Sequence, residues 1–414
     1  MRALASLAAA AGAACTGPPC QIDRLDDRPD AAPGEVRHGF TLGQNAGLSA
    51  TATGIACLTC SGIYYFDPAL TEQRHVAIDL RGDGQLAVAG DTTFVLDDDI
   101  GDLPDASRGG TPGSYSLFAL SATGQELWRH DGSVLHNIDL PDLLAGPDSV
   151  AIDDDTSATV FDPTTGAARW TASSGGDVFV DALALDATDG LIIASGSSEL
   201  GPATPAATLH HVAPGGATTW TVTWTTTDTP PAGGGQVAFV GAAATAGGGA
   251  VVAGRFSTAT LELGELSLTA LPLHGSVDGT RFVAAVDAGG AVRWAVAAGK
   301  SDADGRLDIR GIAALGDGAV ICGNYAGAGQ LGLAATDATT DAFIARIDPD
   351  GTITAHAITG DGDQSCQALA IAGDGSATIT VLSDTVRGGS ALRVGGQIFD
   401  GGPEKPYYVL NLVP

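Results

Sequence analysis

Phe282-Val-Ala-Ala-Val-Asp-Ala-Gly-Gly-Ala-Val-Arg-Trp294 is one copy of the unit whose reading decides the fold. The same form returns over Ser116 to Trp128, Ala158 to Trp170 and Thr208 to Trp220, with Gly124, Gly166, Gly216 and Gly290 each four residues ahead of a tryptophan. A fifth copy, Phe343 to Ala355, carries alanine in the tryptophan slot. Alternating apolar residues on either side of Asp-Pro-Asp-Gly or Ala-Gly-Gly predict two half-buried strands joined by a turn that needs φ > 0. A large ring at a fixed distance past that turn is suited to packing between neighbouring sheets. Stacking of Trp128, Trp170, Trp220 and Trp294 on a sugar or quinone is the functional alternative.

A second piece precedes these hairpins. It runs Ala77 to Gly90, Ala182 to Gly196, Ala242 to Gly254, Ile312 to Gly323 and Leu369 to Val381, with a degraded copy at Ser149-Val-Ala-Ile-Asp. It too reads as strand, glycine turn, strand, with small inner residues that suit strands crowded near an axis. The two pieces together make a four-stranded antiparallel unit, and tandem units of roughly 40–50 residues are the signature of a β-propeller. The interval from Trp220 to Trp294 is longer, which an insertion over Arg255 to Arg281 explains. The chain is therefore predicted to be all-β, a single propeller of six four-stranded antiparallel blades, over residues 39–414. Seven blades is the alternative, with Gly39 to Asp67 supplying most of one. The last unit, Tyr407 to Pro414, has no fourth strand behind it, so an N-terminal strand must close the ring.

Gly254-Arg-Phe-Ser-Thr-Ala-Thr-Leu-Glu-Leu-Gly-Glu-Leu-Ser-Leu-Thr269, followed by Asp278 to Trp294, resembles the SBBP-type β-propeller repeats of exported myxobacterial-type proteins. Asp341 to Gly351 and Leu392 to Leu412 follow the same pattern. The resemblance covers about residues 240–414 well and 75–235 loosely, and Ala158 to Trp170 is closer to quinoprotein-type propellers. The repeat family implies a fold and export and carries no catalytic residues with it.

Export is also readable at the start of the chain. Ala3 to Ala14 has the length of a signal-peptide core and ends in Gly12-Ala13-Ala14-Cys15, which looks like a bacterial lipobox with Cys15 as the lipidated residue. Ordinary signal-peptidase cleavage is the alternative. Residues 1–14 are then a signal peptide, and residues 15–38, polar and proline-rich, a tether. A net charge of −29 sets the chain against nucleic acid and against docking on anionic lipid by basic patches.

The remaining motifs are weaker. Cys57 and Cys60, an isolated C-x-x-C, are expected as a local disulfide, with a redox or zinc site as the alternative. Cys322 and Cys366 are expected to staple neighbouring blades or to stay as two buried thiols. Asp302-Ala-Asp304-Gly305 with Asp308, and Asp361-Gly-Asp363, resemble the start of calcium loops, yet turn chemistry explains them equally well. His210 and His211 are expected on opposite faces of one strand. No nucleophile elbow or catalytic order stands out. The expected function is a noncatalytic exported binding or interaction scaffold at the cell envelope, probing a protein or glycan partner as a monomer, with no metal or cofactor; the alternative is a propeller enzyme, quinoprotein-type oxidoreductase or hydrolase, using the central pocket.

Overall fold

The computed structural model describes residues 23–414 apart from 26–27, 29, 43–46, 52–53, 60–61, 79–83, 99–112, 135–141, 154–155, 174–179, 197–205, 227–236, 272–278, 302–304, 328–329, 335–339, 373, 384–390 and 401–406. Period-two sequence gives antiparallel strands throughout, gathered into seven sheets. The innermost strands, in blade order, are Gly47–Thr51, Gly84–Ala89, Leu143–Ala145, Val180–Leu185, Val237–Ala244, Gly305–Leu315 and Gln364–Ile371. Each packs against the next, and the seventh packs against the first, so the strands enclose a central channel.

Burial follows the ring. Among the described residues the buried apolar side chains form seven clusters, one at each contact between neighbouring blades. A propeller has no single core; each sheet buries one face against its predecessor and the other against its successor.

The blade count is seven, the alternative that the sequence offers, rather than six. Gly47–Thr51, Gly54–Thr59, Gly62–Phe66 and Glu72–Val76 form a complete first blade. It lacks the Gly-x-x-x-Trp signature: its last turn runs through Leu70 at φ 54°, and Arg74, four residues on and opposite Tyr65, stands where later blades have tryptophan. The second blade starts at Gly84, and its first turn is at Gly90 rather than at Gly82 to Gly84. Ring closure is as expected in kind. Val36–Leu42 supplies the outer strand of blade seven, pairing with Tyr407–Leu412 through Phe40 opposite Val409, and begins ahead of the boundary at 39. Residues 1–22 lie outside the described residues.

The insertion after Phe256 is a hairpin, Thr260–Leu263 and Leu266–Thr269, that leaves its own blade to pair with the outer strand of blade four at Thr225 and Thr226. Ala391–Val394 and Gln397–Asp400 repeat the device from blade seven onto blade six. These straps cover two outer edges that would otherwise be open for pairing. The second also secures the closure: the Gln397 amide accepts from Val36 N at 2.9 Å and donates to Val36 O.

The tryptophans lie on outer strands and reach forward to the next blade. The Trp128 ring lies under Gly166, whose added Cβ would fall 2.5 Å from Cε3, and its indole N–H donates to Pro163 O at 2.8 Å. Trp220 lies in the same way under Gly290 and Trp170 more loosely under Gly216, while Trp294 donates to Asp317 O at 3.3 Å. The fifth, Trp224, is fully buried against Phe239 and Phe282 between blades four and five.

Candidate functional site

Each innermost strand pairs with the second strand of its own sheet and packs against the two flanking blades, chiefly through their innermost strands. Its side chains alternate between the two flanking blades, and what remains open is the channel. In blade six Ile309 joins the cluster shared with blade five, Gly311 packs on Leu369 of blade seven, and Ile312 returns to blade five. The alternation therefore skips a residue. Ile309 pairs with Gly323 and Gly311 with Cys322, which leaves Arg310 as the extra residue of a bulge.

The same slip occurs at the same height in three other blades. Val180 and Ala182 flank Asp181, Phe239 and Gly241 flank Val240, and Cys366 and Ala368 flank Gln367. In blade five Phe239 faces blade four, Gly241 packs on Ile312 of blade six, and Ala242 turns back to blade four. With both blade faces taken, the extra side chain has the channel left to it. Val240 is accordingly 40% exposed, on a strand otherwise shielded, and Arg310 and Gln367 are exposed as well. Bulges re-aim a side chain in this way.

Asp181 is the exception. Its carboxylate turns forward and accepts the Phe239 N–H at 2.8 Å, with the Gly196 N–H as a second donor, and burial pushes its pKa up to about 7. It belongs to a structural series in which a side-chain oxygen of one blade accepts an inner-strand N–H of the next: Ser49 from Val88, Gln85 from Leu143 and Asn324 from Cys366. Three adjacent blades thus present Val240, Arg310 and Gln367 in a row on the channel wall. Arg310 has no hydrogen-bond or ion-pair partner among the described residues. Gln367 donates one N–H to Ser365 Oγ at 2.8 Å. The residues that follow them are small: Gly241, Gly311 and Ala368.

The motifs singled out in the sequence fall elsewhere. Cys322 and Cys366 are joined in a disulfide that staples blade six to blade seven, Cα to Cα 6.2 Å. Cys57 is buried in Gly54–Thr59; Cys60 and Cys15 lie outside the described residues. Asp302 and Asp304 lie there too, while Asp308 is held by Arg281 at 2.8 Å and by Arg306, so these cations oppose the effect of desolvation and keep its pKa low. Asp361 pairs with Arg393, and Asp363 accepts from Thr340 N. Among the described residues no group of three His, Cys, Asp or Glu is placed to hold a metal.

Two further arrangements outside the channel have chemical character. His211 links Asp186 (2.7 Å) to Thr219 (2.6 Å), in the order of a catalytic relay. Asp186 is already the acceptor for Thr188 and Gly190, however, so the relay clamps a turn to the outer hairpin. A cleft of about 170 Å³ between the lower turns of blades five and six is lined by Thr245, Asp287, Arg293, Trp294, Asp317 and Pro349.

No family model and no curated protein matches the chain. Among solved structures it is similar to BamB from Moraxella catarrhalis, 15% identical over 94% of this chain and 97% of that one, with a TM-score of 0.41. It is similar also to a eukaryotic initiation factor, 10% identical over 92% and 95% with a TM-score of 0.43. A third likeness, to Hsv2 of Kluyvelomyces marxianus, is 9% identical over 89% and 96% with a TM-score of 0.45. These loose likenesses assign nothing to this chain.

Proposed function

We propose that the chain is an exported, noncatalytic β-propeller that serves as a binding scaffold at the cell envelope, anchored through Cys15, monomeric, and without cofactor. The observation that carries this reading is the row Val240, Arg310 and Gln367, the extra residues of bulges on three adjacent innermost strands and each exposed there. An apolar contact, a cation and an amide fixed in place form a recognition surface at low ordering cost. The interblade disulfide supports export, because such bridges persist in oxidising compartments. The charge of −29 supports a partner other than nucleic acid.

The test is made in a bacterial host that produces the full chain. A palmitate analogue is expected to label the wild type and not Cys15→Ser, and a photocrosslinking residue at position 240 is expected to trap one defined envelope component that the same residue at Thr171, on an outer strand, does not. Equal labelling of both chains, or no position-dependent crosslink, would refute the scaffold reading.

A further inference from the structure

We propose that the channel wall formed by Val240, Arg310 and Gln367 binds a monocarboxylate attached to an apolar body. The inference rests on the scaffold reading and names the chemistry of its site.

Four charged side chains stand on the innermost strands among the described residues: Asp181, Arg306, Asp308 and Arg310. Asp308 is paired with both Arg306 and Arg281. Asp181 is turned to the Phe239 and Gly196 N–H groups. That leaves Arg310 as the one without a partner, so the local demand is for a single negative charge. In a protein of net charge −29 a lone guanidinium suits a monoanion better than a phosphate dianion, which needs further cations to offset repulsion from the rest of the chain.

The geometry adds a shape requirement. A guanidinium presents parallel N–H donors that match a planar carboxylate two to two. Gln367, on the next blade at the same height, has an N–H left after its bond to Ser365. On the other side stands Val240, an apolar side chain exposed where no neighbouring blade covers it. The strands lie close, since an added Cβ on Gly311 would fall 2.9 Å from Leu369 Cβ and one on Gly241 2.8 Å from Ile312 Cγ2. Glycine at those two positions brings the donors and the apolar contact together. A carboxylate head at Arg310 and Gln367 thus places its apolar body along Val240.

The test uses the full chain with ¹³C-labelled valine methyls and three probes: benzoate, its neutral analogue benzamide, and phenylphosphonate. Benzoate is expected to shift the Val240 methyls saturably, with benzamide and phenylphosphonate both weaker. Arg310→Gln is expected to weaken benzoate by roughly tenfold, the loss of a charge-assisted pair. Arg310→Lys, which keeps charge and loses the fork, should fall between. Both side chains are exposed, so an unchanged unfolding midpoint identifies a folded variant. No shift at Val240, an equal benzoate response in Arg310→Gln, or a stronger response to benzamide or to phenylphosphonate overturns the proposal. If benzoate fails while position 240 still gives its specific crosslink, the carboxylate inference falls alone; if the crosslink fails, the scaffold reading falls whatever benzoate does.

Discussion

Replacing Gly166 by alanine and, separately, Gly216 by alanine tests how one blade is held to the next. Both glycines occupy the same slot of the repeat and the same left-handed backbone region, at φ 69° and 90°. Alanine there costs about 1–2 kcal/mol in either blade. The space above them differs. A Cβ on Gly166 would lie 2.5 Å from Cε3 of Trp128, whereas on Gly216 the nearest atoms of Trp170 are 3.8 Å away, an ordinary contact. Trp128 is not free to swing aside, because its indole N–H is committed to Pro163 O and its ring lies beside Phe94 at 5.9 Å. Forcing a methyl into a packed site adds about 1–3 kcal/mol. Gly216→Ala is therefore expected to cost about 1–2 kcal/mol and Gly166→Ala about 2–5 kcal/mol. Urea unfolding at fixed slope gives the difference from the midpoints. Adding Trp128→Leu should open the space and shrink the Gly166→Ala penalty toward the Gly216 value, a coupling that a double-mutant cycle reads directly. Equal penalties at the two glycines, or a Gly166 penalty unaffected by Trp128→Leu, would refute the claim that ring and turn lock the blades.

Two other outcomes are expected. Cys366→Ser should raise the number of titratable thiols by one, at Cys322, and lower stability by at most about 4 kcal/mol for a bridge spanning 44 residues, measured by thiol titration and thermal unfolding; a thiol count that falls by one on the substitution would remove the staple. His356 lies beneath Gly34 of the closing segment, whose added Cβ would fall inside the ring, and desolvation lowers its pKa from 6.5. The folded ring therefore stays neutral to lower pH than the unfolded one: its contribution is present above pH 6.5 and lost as pH falls below that value, when the unfolded chain takes up the proton. Asp181, with its pKa raised from 3.8 to about 7, runs the other way, its contribution present at low pH and lost as pH rises through about 7. The difference curve between wild type and His356→Gln isolates the histidine, and an acid loss of stability as steep in His356→Gln as in wild type would refute the assignment.

The repeat was legible because turn chemistry and ring size are written in residue types. Gly-x-x-x-Trp marks a left-handed turn and the outer strand behind it, and four copies were enough for the architecture. Blade one escaped because the lock there is made from other residues. Arg74 fills the ring's place, its guanidinium lying over the Tyr65 ring and donating to Ala122 O of blade two, and Leu70 takes the left-handed position without glycine. A reading keyed to tryptophan and glycine passes over a blade that reaches its neighbour with arginine and turns on leucine. The straps were partly legible: the insertion after Phe256 was visible as extra length, but its destination on blade four depends on a tertiary edge that no local pattern encodes.

The channel row was missed for a physical reason. A bulge adds one residue to a period-two strand, and in segments rich in alanine and glycine the period is already faint. The signal emerges only when four segments are set side by side: Val180-Asp-Ala-Leu-Ala-Leu185, Phe239-Val-Gly-Ala-Ala-Ala244, Ile309-Arg-Gly-Ile-Ala-Ala314 and Cys366-Gln-Ala-Leu-Ala-Ile371. The second position varies freely among Asp, Val, Arg and Gln, while the third is always alanine or glycine. A position committed to an interblade face could not accept both valine and arginine, since each would have to fit the same packed gap. In blades five, six and seven, variation in charge beside invariance in size therefore marks the residue that leaves the strand, whereas in blade four Asp181 at the same position turns to the Phe239 N–H of blade five, and the small residue after each is what allows the next blade to approach.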